Sequence, residues 1–471
     1  MRLALLLAST MLLTVAASAA EVNVPAATGG ADVTVYNNDF ALVRERRSFR
    51  LPAAAAQLAF TGVSTQMQPE TALLDVVKGE PVKISAQNFN FNIVSQSALL
   101  ERAVGQEITV FLPNAAGLST PIRARVLSAD GPVFEIDGKV HTGVQGRLVF
   151  DKLPEGLRST PTLLLDVTGA ANKDADAEFS YLTSGLNWRA DYVMQYDADA
   201  ARMDLTGWAT VTNTTGVDFK DAKLKLIAGE VNRVSAPREI RMMTAKAMNA
   251  QAAPAPPLAD GVGEAEFEGT HVYTIAKATT LADKESKQLS LMSAGGVPVV
   301  RELTLRNAQP YIYFQQMRGQ LQESNAAIEL SFKNDPAAKL GLPLPAGVMR
   351  VYSLDERDSL QFMGESRIDH RAAGADVRVA LGRDFDVSAN REQTVYVHAS
   401  DTSDVSAWKI TLKNAKARAV KVRVLEPMPA SWEITKETHA HDASNAGTVE
   451  WVMDVPAKGQ AVLEYNVKSI R

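Results

Sequence analysis

His439 and His441 are the nearest approach to a metal-ligand pair in a chain of 471 residues with 6 histidines and no cysteine. Residues two apart on a strand share a face, so both imidazoles could reach one cation. No third ligand accompanies them and residues 435–446 read as a solvated loop, so no metal is expected here. Asn172, Asp174, Asp176 and Glu178 place an oxygen at every second position, a spacing that suits hard cations. A calcium loop also needs Gly at its sixth position and Glu at its twelfth, where this chain has Ala177 and Thr183, so a solvated acidic turn is expected.

Asp369 and His370, flanked by Arg367 and Arg371, have the residue types of an acid–base pair, but strand neighbours point apart. Arg44, Arg46, Arg47 and Arg50 form a basic cluster able to meet an anionic envelope polymer; the interleaved Glu45 favours an ordinary solvated strand face. Trp188, Arg189 and Asp191 are the candidate binding patch, because Trp and Arg dominate binding hot spots. Strand alternation competes with that reading: it turns Trp188 and Tyr192 inward and Arg189 and Asp191 outward. Gly-x-Ser-x-Gly, His-Glu-x-x-His and phosphate-cradling Gly-rich patterns do not occur, which removes the commonest serine hydrolase, zincin and nucleotide signatures. The 54 carboxylates leave a glycosidase pair open, since such pairs are defined by spacing in three dimensions.

The elements that must carry these residues are mainly strands. Residues 31–36, 108–112, 222–227, 327–332, 377–381, 394–398, 408–412, 420–425 and 462–467 read as β runs. Asp137-Gly138 between 133–136 and 140–144 predicts a tight hairpin, because both residues accept left-handed geometry. One short helix is expected over 97–104, stopped by Gly105. Residues 236–266, with Met242, Met243, Met248 and a run of Ala and Pro, read as a flexible insertion. A pattern of strand, Asn, polar turn and strand recurs at Asn213, Asn334 and Asn414, irregularly spaced, and Asn suits the place because it caps its own turn.

Residues 1–20 have a basic start at Arg2, an apolar stretch and the small residues Ala17-Ser18-Ala19, and so read as a secretory signal peptide. No later run is long and apolar enough for a transmembrane helix in the mature chain. A cysteine-free exported chain must be stabilised by core area alone, and its length permits that. The formal charge of −5 favours no binding to nucleic acid. Turn-rich breaks suggest an N-terminal β domain over 21–172, a central β domain over 173–403 and an immunoglobulin-like sandwich over 404–471. The fold class is therefore mainly β, built of sandwich-like modules with minor helix.

Tyr181-Leu-Thr-Ser-Gly-Leu-Asn-Trp-Arg-Ala-Asp-Tyr192 resembles an exported bacterial family, the domain-of-unknown-function 4139 group. The likeness continues through Leu205-Thr-Gly-Trp208, Lys223-Leu-Lys-Leu-Ile-Ala-Gly229, His271-Val-Tyr-Thr-Ile275, Pro343-Leu-Pro-Ala-Gly347 and Leu381-Gly-Arg-Asp-Phe-Asp386. It spans roughly residues 178–471 and implies export and a β-rich build, with no activity and no catalytic residues to carry over. Two functional classes follow. The favoured one is a periplasmic or extracellular, non-catalytic envelope protein that binds a protein or polymer partner through sandwich surfaces, without a cofactor. The alternative is a carboxylate- or metal-dependent hydrolase acting on an envelope polymer.

Overall fold

A computed structural model describes residues 20–470 except 28, 52–55, 91, 114–118, 145, 155, 169–172, 233–261, 307–309, 318–320 and 446. The expected leader, Asn172 and most of the 236–266 segment with its three methionines lie outside the described residues. Most of the described chain is strand, and the one α-helix among the described residues is Gln96–Ala103. Its start is fixed by Ser95, whose Oγ accepts the N–H of Ala98 at 3.1 Å, and Gly105 follows its end at φ 81°.

The chain forms two compact units. One holds the described residues up to Asn187 with 212–226 and 275–287; the other holds 188–211, 227–274 and 288–471. Composition of turns cannot reveal units assembled from separate stretches, because each stretch looks like ordinary strand and loop.

In the first unit, Phe40–Arg50 lies between Asp32–Tyr36 and Asp174–Ser184, with Leu73–Lys78 beyond. Alternation decides what each strand buries. Ala175, Ala177, Phe179 and Tyr181 face inward, as do Val43 and Phe49 opposite them. A second sheet orders Ala20–Val24, Ala56–Thr61, Thr162–Thr168 and Lys83–Asn90. A third carries the hairpin at Asp137 (φ 49°) and Gly138 (φ 74°), both in the left-handed region that the Asp-Gly pair implied. Leu100 and Ala103 of the helix close this third sheet over Ile108, Val110, Ala124, Val126 and Phe134.

In the second unit, Leu186–Asp197 pairs in parallel with Gly347–Leu354, which pairs antiparallel with Leu360–Ile368. A nine-stranded sheet takes in Val300–Arg306, Leu321–Lys333, Asp376–Ser400, Ser403–Asn414, Val420–Pro427, Thr448–Val455 and Gly459–Ile470. Both halves of that sheet send side chains into one core, including Trp408, Ile410, Val424, Trp451, Leu463 and Tyr465. The polar stretch 400–406, where the sequence suggested a domain break, holds a hairpin turn inside this sheet, since Val387–Ser400 pairs antiparallel with Ser403–Asn414. The strands expected for a sandwich over 404–471 thus share a core with earlier strands.

Candidate functional site

Trp188, Arg189 and Asp191 lie on Leu186–Asp197. Trp188 is 1% exposed, and its Nε1 donates to the Ile227 carbonyl at 2.9 Å. Its ring meets Tyr273 edge-on at 6.2 Å. It is core, as alternation implied, and offers no surface for a partner. Asp191 departs from alternation: it is 4% exposed. Its Oδ2 accepts from Thr210 Oγ1 at 2.7 Å and Arg189 Nε at 3.1 Å, and its Oδ1 from Arg350 Nη1 at 3.0 Å. Burial pushes the carboxyl pKa up, but the Thr210 and Arg350 hydrogen bonds and the two guanidinium charges outweigh it and hold it below the usual value. Of the three residues only Arg189 is exposed, so they do not form a surface patch.

The other sequence candidates disperse. The acidic run and the arginine cluster face each other: Asp174 is registered with Arg50, Asp176 with Ser48 and Glu178 with Arg46. Asp176 accepts from Ser48 Oγ at 2.6 Å, and Arg44 lies 3.7 Å from Glu178. These oxygens serve a cross-strand ladder. Arg47 leaves the cluster altogether. With Glu45 it occupies the inward parity of its strand, donating to the Thr61 carbonyl at 2.7 Å and to Glu45 at 2.7 Å, with its guanidinium 5.5 Å from the Phe179 ring. Opposite charges two apart in step with Val43 and Phe49 were the sequence signal for this buried pair. His441 contacts Glu437 at 3.2 Å, and Trp451 Nε1 donates to both Glu437 and the His439 carbonyl. Among the described residues no group of three metal-ligating side chains assembles. His370 Nδ1 accepts the N–H of Ala346 at 3.2 Å; partial desolvation, with a contribution from His271, pushes its pKa down.

A groove of about 970 Å³ follows from strand direction. Leu186–Asp197 and Gly347–Leu354 run parallel, Gln195 opposite Tyr352 and Tyr196 opposite Ser353, so both leave the sheet at the same end. Their turns are therefore neighbours, and the groove lies along them. Its lining holds six carboxylates (Asp197, Asp199, Asp204, Asp355, Glu356 and Asp358) and one guanidinium, Arg357. Asp355 folds the second turn: Oδ1 accepts the N–H groups of Arg357 at 2.9 Å and Ser359 at 3.0 Å, and Oδ2 accepts from Gln361 at 3.1 Å. Those donors hold its pKa below the usual value, so it is anionic at neutral pH. Asp197 caps the first turn through the N–H groups of Asp199 and Ala200. Leu354 and Leu360, 59% and 55% exposed, supply apolar wall beside these charges. Sequence reasoning passed over this groove because its residues come from two turns about 155 positions apart.

The family described as Domain of unknown function (DUF4139) matches residues 177–469. No curated protein matches the chain. The matched span contains the Asp191 centre and both turns of the acidic groove, and the chain belongs to the DUF4139 family.

Proposed function

We propose that this protein is an exported, non-catalytic envelope protein whose acidic groove binds a basic, leucine-bearing segment of a partner protein. The groove carries the reading. It combines six carboxylates with exposed leucines, and its volume of about 970 Å³ suits a peptide segment. Such a lining favours lysine or arginine for its charge and aliphatic side chains for its walls. The hydrolase alternative needs a carboxyl held protonated near neutral pH. Asp355, the groove carboxyl with a shifted pKa, is shifted the other way.

The test is a fluorescence-polarisation titration of the mature chain with labelled peptides alternating Lys and Leu, against the same peptides with Glu in place of Lys. The Lys peptide binds more tightly, and raising salt from low to physiological strength weakens it as charges are screened beyond about 8 Å. Replacing Asp199→Lys together with Glu356→Lys lowers affinity at least about tenfold, or about 1.4 kcal/mol. Equal binding of both peptides overturns the reading. So does envelope-polymer hydrolysis by the wild type that Asp355→Asn abolishes. Cell fractionation tests export, and retention in the cytosol contradicts it.

A further inference from the structure

A second concavity, of about 180 Å³, opens in the nine-stranded sheet where two of its strands part. Val300–Arg306 and Leu321–Lys333 pair from Val300 opposite Ser331 to Thr304 opposite Ala327. Beyond that point Leu305 and Arg306 follow Val424 and Leu425, while Gln322–Ser324 follow Ala389–Arg391. The cavity lies between the diverging segments, floored by Ala389, Ile410 and Val424.

Arg391 lines it, with a side chain 8% exposed. Its Nε and Nη2 are bound to Glu426, and Nη2 also donates to Tyr465 Oη at 3.1 Å. Tyr313 adds a hydrogen bond to Glu426 Oε2 at 3.0 Å. Nη1 is buried and has no hydrogen-bond partner among the described residues. A buried donor left unmade is costly, and more so on a charged group. The centre therefore has a surplus donor beside an open space. The charges around that space cancel: Arg306 and Arg391 against Glu323 and Glu426. A neutral acceptor, rather than an anion, fits such a lining.

The next inward residue on the same strand shows what that acceptor can be. Gln393, fully buried, brackets backbone with its amide: Oε1 accepts the N–H of Met317 at 2.6 Å and Nε2 donates to the Gln315 carbonyl at 3.0 Å. One inward step away, Arg391 has the donor but no carbonyl.

We propose that the cavity takes a short, uncharged, extended peptide segment, with one carbonyl oxygen accepting from Arg391 Nη1 and a small aliphatic side chain against Ala389, Ile410 and Val424. The strand edges that part at Thr304 and Ala327 flank the segment, as in strand addition to a sheet. The space equals the liquid volume of about six waters, which limits the buried part to about one residue. This site is separate from the acidic groove and stands or falls without it.

The experiment titrates the full mature chain with N-acetyl-Ala-Val-Ala-amide, with acetate in parallel, following the arginine side-chain NH resonances by NMR and the heat by calorimetry. The peptide saturates one site in the millimolar range and shifts a protected arginine resonance that Arg391→Lys removes. Ser324→Trp, placed at an exposed lining position away from the ion pair, weakens binding at least tenfold (about a tenfold change in Kd) without lowering the melting temperature. Asp199→Lys in the acidic groove leaves it unchanged. No saturable peptide binding overturns the proposal. Acetate binding as tightly as the peptide also overturns it, since the site would then be an anion site, and so does full binding by Ser324→Trp.

Discussion

Arg391 grips Glu426 through two hydrogen bonds, Nε to Oε1 at 3.2 Å and Nη2 to Oε2 at 2.9 Å, with both side chains more than nine-tenths buried. The guanidinium carbon lies 3.7 Å from the centre of the Trp408 ring. Two charges removed from water are expensive, and only their mutual geometry offsets the loss. Removing one partner strands the other. Glu426→Leu or Arg391→Met alone should cost about 3–5 kcal/mol, while the two changes together should cost much less than the sum. Urea unfolding of the four proteins gives the coupling energy. Additive effects would show that the pair does not act as a unit.

Asn414 is a second buried brace. Its Nδ2 donates to the carbonyls of Arg418 at 2.8 Å and Pro456 at 3.0 Å, and its Oδ1 accepts the N–H of Lys416 at 3.0 Å. Asn213 repeats the arrangement with Val217, Leu281 and Thr215, and Asn334 holds Leu342, Ala372 and Gly341. Asn414→Ala should lower stability by about 1–3 kcal/mol, because buried backbone groups lose their partner. Asn414→Asp should cost more, since a carboxylate would then face two carbonyls. Chemical denaturation ranks the two variants, and the reverse order would contradict this account.

Acid should weaken the fold through carboxylates whose pKa values folding depresses. Asp191, Glu21 with its two hydrogen bonds to Arg158, and Glu450 with Arg423 are all held below their ordinary values of 3.8, 4.5 and 4.5. A lowered folded pKa gives stability that is fully present above the unfolded pKa and is lost as pH falls through the folded one. The urea midpoint should therefore stay level with respect to these groups above about pH 5 and drop below it. Asp191→Asn should be less stable than the wild type at pH 7, by about 1–3 kcal/mol, with the gap narrowing toward pH 3. A gap that stays constant across that range would remove Asp191 from the acid response.

Gly347 starts a strand that lies tight against Leu186–Asp197. A Cβ added there would sit 2.2 Å from the Ala190 carbonyl oxygen, so backbone must move to admit it. Gly347→Ala should destabilise the protein by about 1–3 kcal/mol, and should disturb the parallel pairing that sets the two groove turns side by side. Thermal unfolding and binding of the Lys–Leu peptide report these effects together. An unchanged melting temperature would show that the contact relaxes freely.

Alternation made much of the strand content legible before any coordinates, because a half-buried strand writes its inside and outside into every second residue. It placed Trp188 and Tyr192 inward, and both are core. Asn213, Asn334 and Asn414 were also visible as recurrent strand ends, since a side chain that caps its own turn is a local device. Asp191 broke the rule, and sits inside because Arg350, distant in sequence, neutralises it. Arg47 kept the alternation but put a charge on the inward face, where Glu45 and two backbone carbonyls satisfy it.

The amino-acid sequence alone determined that the chain is built of strands with little helix, that no disulfide assists it, and that its family is the one marked by the residues around Tyr181–Tyr192. Those properties depend on local pattern and composition. Which charges are buried, which turns share a groove and where two strands part were decided by tertiary structure. Residues such as Asp199 and Glu356, or Arg391 and Glu426, meet only after distant strands have paired, and long-range register is not a property of either segment taken by itself.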